Sequence, residues 1–584
     1  MQFLLVALNA KYIHSNPAVY SLKRFTGKDS AHVQIAEYTI NHRMEEILED
    51  IYSRRPDVIA FSCYIWNWEM IQKITVELHK LLPKLPIWLG GPEVSFDAAK
   101  ILDKHPQLSG IMAGEGEAVF SELLSYYLYQ DRPLREIAGL VLRDGPTGER
   151  KPLDMSAIPF LYDNAADFQN RILYYESQRG CPFRCSYCLS SIDKTVRLRD
   201  ISVVKQELQF FLDNKVKQVK FVDRTFNCSH EHAVEIWRYI LEHDNGVTNF
   251  HFEIAGDMIG DEEAALLARM RPGLVQLEIG VQTTNKRTLQ EIRRKTDFTK
   301  LKAAVETIRK AGNIHQHLDL IAGLPYEDYE SFGRSFDEVF SLEPNQLQLG
   351  FLKVLKGSYM HEMAEEYGLV YTQEPPYEVL FTKWLNYDEV RRLKRIEEMV
   401  EIYYNSNQFT HTLAFLQGAF QSPFAMFEAL ARFYKEKGFF AQAPARIYRY
   451  QALLQFAKEH DVENFPVYRE LLVFDLYLRE KVKSRPDFAK ELGENKKDIM
   501  EFYRYEEKNR YFLPGYREYD SRQLSRMTHM EPFSYPVWAM KRGTESAMDG
   551  AYILFDYENR NPLTHEAGII MLNQSEWQRE GCGK

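Results

Sequence analysis

The stretch Arg179-Gly180-Cys181-Pro182-Phe183-Arg184-Cys185-Ser186-Tyr187-Cys188 decides how the rest of the chain is read. It gathers three of the six cysteines into one C-x3-C-x2-C run. Thiolates this close cannot bridge one another without strain, but they can converge on one iron–sulfur cluster. Three protein ligands leave the fourth iron of a cubane open to a small molecule. A closed structural zinc site asks for four ligands, and Cys228 lies far downstream. A zinc knuckle or a group of buried thiols is the other use of such a triplet. The Arg-Gly lead-in and the aromatic Tyr187 favour the cluster.

These residues resemble the cluster motif of the radical S-adenosylmethionine (SAM) enzymes, C-x3-C-x-aromatic-C. The resemblance implies a [4Fe–4S] cluster on Cys181, Cys185 and Cys188, with SAM chelated to the open iron and Tyr187 supporting its adenine. It further implies reductive cleavage of SAM to a 5′-deoxyadenosyl radical, fed by an external electron donor such as flavodoxin or ferredoxin.

Downstream, strand–helix units repeat. Strands are expected at 172–176, 218–222, 249–254, 274–279, 317–321 and 346–352, with helical patterns between them. Six units match the partial (β/α)6 barrel of that superfamily, assigned to residues 171–370. In such barrels active-site groups stand at the carboxyl ends of the strands. That rule singles out Asp223, Glu253, Glu278, Gln282 and Asp319. The Gly280-Val281-Gln282-Thr283 and Asp319-Leu320-Ile321-Ala322-Gly323-Leu324-Pro325 runs look like recurrent barrel motifs, and the implied role of the set is to contact SAM. For Glu253 and Glu278 a salt bridge inside the barrel is the other reading. The usual Gly-Gly-Glu after the second strand is absent, and Asp223-Arg224-Thr225 stands there instead.

Upstream, residues 1–135 alternate short apolar runs with amphipathic ones, as in a doubly wound, Rossmann-like or flavodoxin-like parallel sheet. Strands are expected at 3–8, 33–38, 58–62, 87–90 and 110–113. Ligands of such sheets sit at the carboxyl ends of the strands, where Asn9 to Ser15 with His14, then Ser62, Tyr64 and Trp66, Gly90-Gly91-Pro92-Glu93, and Gly114-Glu115-Gly116-Glu117 fall. No G-x-G-x-x-G follows the first strand, which disfavours a dinucleotide. Behind a cluster motif, these turns look like the cobalamin-binding subgroup of the radical SAM enzymes. The resemblance makes Asn9, His14, Ser62, Tyr64, Trp66, Gly90, Gly91, Glu93, Gly114 and Glu115 the candidate cobalamin contacts. The Asp-x-His-x-x-Gly loop that supplies a cobalt-ligating histidine elsewhere is absent. Bound cobalamin is therefore expected with its own base displaced, no protein nitrogen on cobalt, and the turn 64–66 covering its lower face.

Residues 136–170 read as a connector with a small hairpin at Asp144-Gly145. After Pro375-Pro376 the composition turns rich in Tyr, Phe, Lys and Glu, and residues 371–584 read as a mainly helical domain closing on a hairpin. Its aromatics are expected to be core, the domain is expected to decide the substrate, and Cys582 is expected to be without function.

The bulk numbers fit an enzyme of this kind. The chain has 584 residues, 45% of them hydrophobic, and a net charge of −10. It can build several cores, and it is not a dedicated nucleic-acid binder. The opening residues lack a basic n-region and a cleavage site, no run of about 18 apolar residues occurs, and the cysteines do not form a secreted framework. A cytoplasmic enzyme is expected. The leading expectation is a cobalamin-dependent radical SAM methyltransferase acting on an unactivated carbon. The alternatives are a rearrangement or cyclisation with the same cofactors, and a cobalamin- or redox-responsive regulator.

Overall fold

The computed structural model describes residues 1–442, 444–543, 546–547, 551–573 and 575–578. Residues 1–332 with 350–390 form one compact unit, and residues 333–349 with 391–584 form a second.

The N-terminal strands Phe3–Asn9, Val33–Thr39, Val58–Ser62, Ile87–Gly90 and Gly110–Met112 run parallel, in the spatial order second, first, third, fourth, fifth. The first strand is buried along its whole length because apolar cores lie on both of its faces. Leu4, Val6 and Leu8 pack with Ile47, Ile71 and Leu78 on one side. Phe3, Leu5 and Ala7 pack with Trp88, Phe120 and Leu123 on the other. Strand order reverses at the first strand, so the loops after the first and third strands diverge and open a crevice.

The expected hairpin forms as Leu140–Leu142 and Gly145–Pro146. It pairs antiparallel with the fifth strand, and burial of Ile137 and Leu140 in the second core holds it there.

The barrel strands Leu173–Tyr175, Gln218–Phe221, Asn249–Ile254, Val275–Gln282 and His315–Ala322 follow one another in sequence order in one sheet, and the sixth expected strand forms as Gln346–Phe351. Val275–Gln282 alternates buried and half-buried residues. Its apolar set is buried, while Gln276, Glu278, Gly280 and Gln282 share the opposite face. Register places Glu253 beside Glu278, Glu278 beside His317, and Gly280 beside Asp319. Polar side chains from neighbouring strands are thereby stacked in one interior.

In the second unit, helices Thr410–Gln417, Pro423–Glu436, Arg446–His460 and Phe465–Arg479 carry an aromatic core in which Tyr403, Tyr434, Tyr450 and Tyr468 are fully buried. The terminal hairpin is Ala551–Arg560 with Ala567–Asn573, and Thr528–Phe533 adds a third, edge strand. That strand was not expected because Pro532 interrupts it, a residue that sheets tolerate at their edges. Cys582 lies outside the described residues. Among the described residues no helix is long and apolar enough to cross a membrane.

Candidate active site

The cysteine loop leaves the first barrel strand and turns at Gly180, whose φ is +94°. A Cβ there would collide with the carbonyl of Thr195, so the turn needs glycine. The antiparallel pair Gln178–Arg179 and Arg197–Leu198 closes the base of the loop. Cys181 and Cys185 are buried, Cys188 is half-buried, all three are free thiols, and all three line one cavity.

That cavity is also walled by Tyr187, Glu253, Glu278, Gln282 and Asp319. The two glutamates share Lys220, whose Nζ is 3.2 Å from Glu278 and 3.7 Å from Glu253. His251 Nε2 lies 3.0 Å from Glu278, and His317 Nε2 lies 3.1 Å from Asp319. The salt-bridge reading of both glutamates therefore holds, and it coexists with a place in the cavity wall. Burial works against ionised Glu278, yet the His251 hydrogen bond and Lys220 pull its carboxyl down to about 2. Burial raises Glu253 and Asp319 instead. Asp319 Oδ1 faces His317 Nε2 out of hydrogen-bond alignment, and the carboxylate still lines the cavity.

Asp223 departs from expectation. Its carboxylate is fully buried and accepts from the backbone N–H groups of Ser177 (2.8 Å) and Gln178 (3.2 Å) and from the Ser177 hydroxyl. Burial pushes it up to about 8 against those bonds. It pins the root of the cysteine loop and does not line the cavity. The chain alternates sides here, so the outward position belongs to the next residue, Arg224.

Beyond the first sheet lie two further cavities of about 560 and 510 Å³. Asn9, His14, Tyr64 and Trp66 line the first; Ser62, Tyr64, Gly90, Gly91, Gly114 and Glu115 line the second. The second is a slot reaching Leu5, Ala60 and Met112 of the sheet, with Leu22 of the helix Pro17–Phe25 beside them. Gly114 has φ +83° and nothing near the place of a Cβ, so the glycine leaves room in the slot.

The loop after the first strand is organised by Glu37, which the sequence did not single out. Glu37 accepts from Asn9 Nδ2 (3.0 Å), Asn16 N (2.9 Å) and the Tyr20 hydroxyl (2.7 Å), and it pairs with Arg171 (2.5 Å). The loop meets the barrel directly, since His14 Nδ1 is 2.6 Å from the Tyr174 hydroxyl and Ser15 donates to Ile172 O. Tyr64 and Trp66 stack with centroids 4.4 Å apart, and the indole N–H donates to Leu8 O.

Glu93 is the second departure. It is buried away from both cavities, accepts from the Tyr377 hydroxyl and lies 3.7 Å from Lys356 Nζ. It anchors the chain leaving the barrel to the fourth-strand turn. Glu115 lines the slot but is spoken for by Arg197 and by Leu153 N. Its neighbour Glu117 holds Arg179, the residue that opens the cysteine motif, at 2.8 Å, with Glu176 on the same guanidinium at 2.7 Å.

Comparison with known proteins matches residues 4–124 to the B12 binding domain and residues 175–339 to the radical SAM superfamily. The chain carries a B12 binding domain followed by a radical SAM domain. Residues 365–555 match a protein family of unknown function, DUF4080. The cobalamin-dependent radical SAM methyltransferase TokK of Streptomyces tokunonensis is 27% identical over 344 residues, 54% of this chain and 50% of that protein. The chain thus spans about half the length of that relative. The solved radical SAM methyltransferase TsrM of Kitasatospora setae, with cobalamin and a [4Fe–4S] cluster bound, superposes with a TM-score of 0.51 at 19% identity over 64% of this chain and 79% of that one. The cobalamin-dependent radical enzyme OxsB gives 0.55 at 13% identity over 81% and 80%. Likeness at this identity carries the fold.

A radical SAM domain implies a [4Fe–4S] cluster, SAM and a reductant, and a B12 binding domain implies cobalamin. The residues present fit these groups. A cubane asks for three thiolates around one cavity, each on its own iron, and the three cysteines lie so. Among the described residues no three such side chains gather on one point as a single ion would require. The glycine-lined slot with its apolar floor fits the tail of a corrinoid, and the acceptors Glu253, Gln282 and Asp319 fit the polar ends of SAM.

One cavity residue escaped the sequence reading altogether. Arg294 donates to Gly280 O at 2.5 Å and reaches Tyr187 Oη at 3.4 Å and Cys185 Sγ at 3.8 Å. Burial pushes the Cys185 thiol up, and Arg294 pulls against that. The run Arg293-Arg294-Lys295 was the available signal, but it reads as an ordinary solvated charge cluster.

Proposed function

We propose that this chain is a cobalamin-dependent radical SAM methyltransferase acting on an unactivated carbon. The observation that carries the reading is the meeting of the cysteine cavity with the two cavities at the carboxyl edge of the first sheet. All three are lined in common by Ser190 and Arg224. When bound, the cofactors supply reductive cleavage of SAM and methyl transfer through cobalt.

The chain's own residues bind, orient and exclude water. Cys181, Cys185 and Cys188 hold the cluster. Glu253, Gln282 and Asp319 accept from SAM, Glu278 keeps Lys220 and His251 in place beside them, and Tyr187 supports the adenine. The stacked Tyr64 and Trp66 would line the cobalamin site. Bound cobalamin would carry no protein nitrogen on cobalt in this reading, with the His14 ring held against the Tyr174 hydroxyl at 2.6 Å and kept neutral by burial, then Lys11.

In this reading residues 1–135 carry cobalamin, 136–170 connect, 171–370 carry the cluster and SAM, and 371–584 shape the substrate site. The reductant is a flavodoxin or ferredoxin, and the protein works in the cytoplasm. Product analysis tests the proposal. Anaerobic protein with dithionite and SAM should release 5′-deoxyadenosine and S-adenosylhomocysteine together, slowly without substrate. 5′-Deoxyadenosine without S-adenosylhomocysteine would favour a rearrangement or cyclisation, and neither product, even with substrate, would favour a regulator.

A further inference from the structure

Arg224 stands where the three cavities meet and has no hydrogen-bond or ion-pair partner for its guanidinium among the described residues. Its position is fixed from both sides. Asp223 is locked under the cysteine loop, and Thr225 is buried with its carbonyl accepting from Gln178 Nε2 at 2.6 Å. Arg224 itself is exposed to the cavities. It shares one cavity wall with Tyr64 and another with Glu253.

Carboxylates are plentiful nearby, but each has another cation. Glu176 is taken by Arg179 at 2.7 Å, Asp193 by Arg197 at 2.8 Å, and Glu253 lies 3.7 Å from Lys220. The guanidinium cannot shed its proton. Once ligands fill the cavities and displace water, it would be left as a desolvated, unpaired cation, which is strongly unfavourable. The sulfonium of SAM would add like-charge repulsion. The ligand must therefore bring a negative charge to this point.

We propose that Arg224 is an anion-recognising residue, and that the molecule lying between the cluster and the corrin presents a carboxylate or phosphate to it. This rests on reading the three cavities as cofactor and substrate space. A planar guanidinium suits such a group because it can donate two parallel hydrogen bonds. Either SAM's own carboxylate or an acidic group of the substrate supplies that chemistry.

The test uses cobalamin-loaded, cluster-reconstituted protein as wild type, Arg224→Lys and Arg224→Gln, each first assayed for iron and cobalamin content. Equilibrium dialysis then compares SAM with decarboxylated SAM. A tenfold or greater loss for SAM in Arg224→Gln, partly rescued in Arg224→Lys and absent with decarboxylated SAM, supports the proposal with SAM as the source. If SAM affinity is unchanged, phenylglyoxal labelling of Arg224 is followed by peptide mass spectrometry with SAM present. Saturable protection by millimolar phosphate or acetate, and none by acetamide, supports the proposal with the substrate as the source. Unchanged SAM affinity together with no protection overturns it. So does a loss of cobalamin but not cobinamide affinity in Arg224→Gln, which would give Arg224 to the corrinoid's own phosphate. None of these readouts needs turnover, so the inference can fail while the methyltransferase reading stands, and the reverse.

Discussion

Three thiols, one tyrosine and one histidine carry most of the chemistry that can be argued at the scale of single residues. Cys181, Cys185 and Cys188 share a cavity, whereas Cys63 is buried in the first sheet's core and Cys228 donates its S–H to Gln178 Oε1 at 3.5 Å. Replacing all three cavity cysteines with alanine should reduce iron from about four per chain to none and abolish the charge-transfer absorbance. Single replacements of Cys63, Cys228 or Cys582 should leave iron unchanged. Tyr187→Ala should weaken SAM binding with iron nearly intact, read by dialysis beside iron analysis; loss of the cluster would make Tyr187 structural. Electron paramagnetic resonance of the cob(II)alamin form should show no nitrogen splitting from the protein, and a splitting that vanishes in His14→Ala would overturn that assignment. The cysteines were legible because their spacing is itself the chemistry. Asp223 and Glu93 were misplaced for a simple reason: sequence shows which loop a carboxylate is on, not which side of the loop it faces.

At the scale of elements, turns and strands do work that no single residue explains. Gly91 has φ +113°, and a Cβ there would run into the carbonyl of Cys63. Gly91→Ala should destabilise the N-terminal sheet by about 1–3 kcal/mol, seen as a lower midpoint in thermal unfolding of the cobalamin-free protein. The Gly114-Glu115-Gly116-Glu117 turn is a clasp as well as a slot wall, since its two carboxylates hold Arg197 and Arg179 at the base of the cysteine loop. Glu117→Gln should therefore loosen the loop and lower cluster retention on dialysis, with Glu176 limiting the damage. The barrel interior has its own pH signature. Glu278 is held near 2 in the folded chain, below its ordinary 4.5, so its share of stability is full above about pH 4.5 and lost as pH falls toward 2. Glu278→Gln should flatten the acid limb of a stability–pH curve, and an unchanged limb would contradict the pairing. Strand positions were readable from apolar period and length. The edge strand Thr528–Phe533 was not, because its proline and its ion-paired Glu531 mask the pattern.

For the whole molecule, the account rests on two ligand-binding edges opening toward each other. The sheet's switch point and the barrel's strand ends could each be located from sequence, because each follows from topology. That the cavities meet at Ser190 and Arg224 could not, since it depends on contacts such as His14 with Tyr174 and Glu117 with Arg179 between parts distant in sequence. The most direct measurement of the central claim follows the methyl group of SAM. Anaerobic holoprotein, with cobalamin and cluster content established, is given dithionite and methyl-deuterated SAM, and the corrinoid is then extracted for mass spectrometry. The account predicts deuterated methyl in the extracted corrinoid, with S-adenosylhomocysteine as the co-product. A fully loaded protein that cleaves SAM to 5′-deoxyadenosine yet leaves the corrinoid free of label would contradict it.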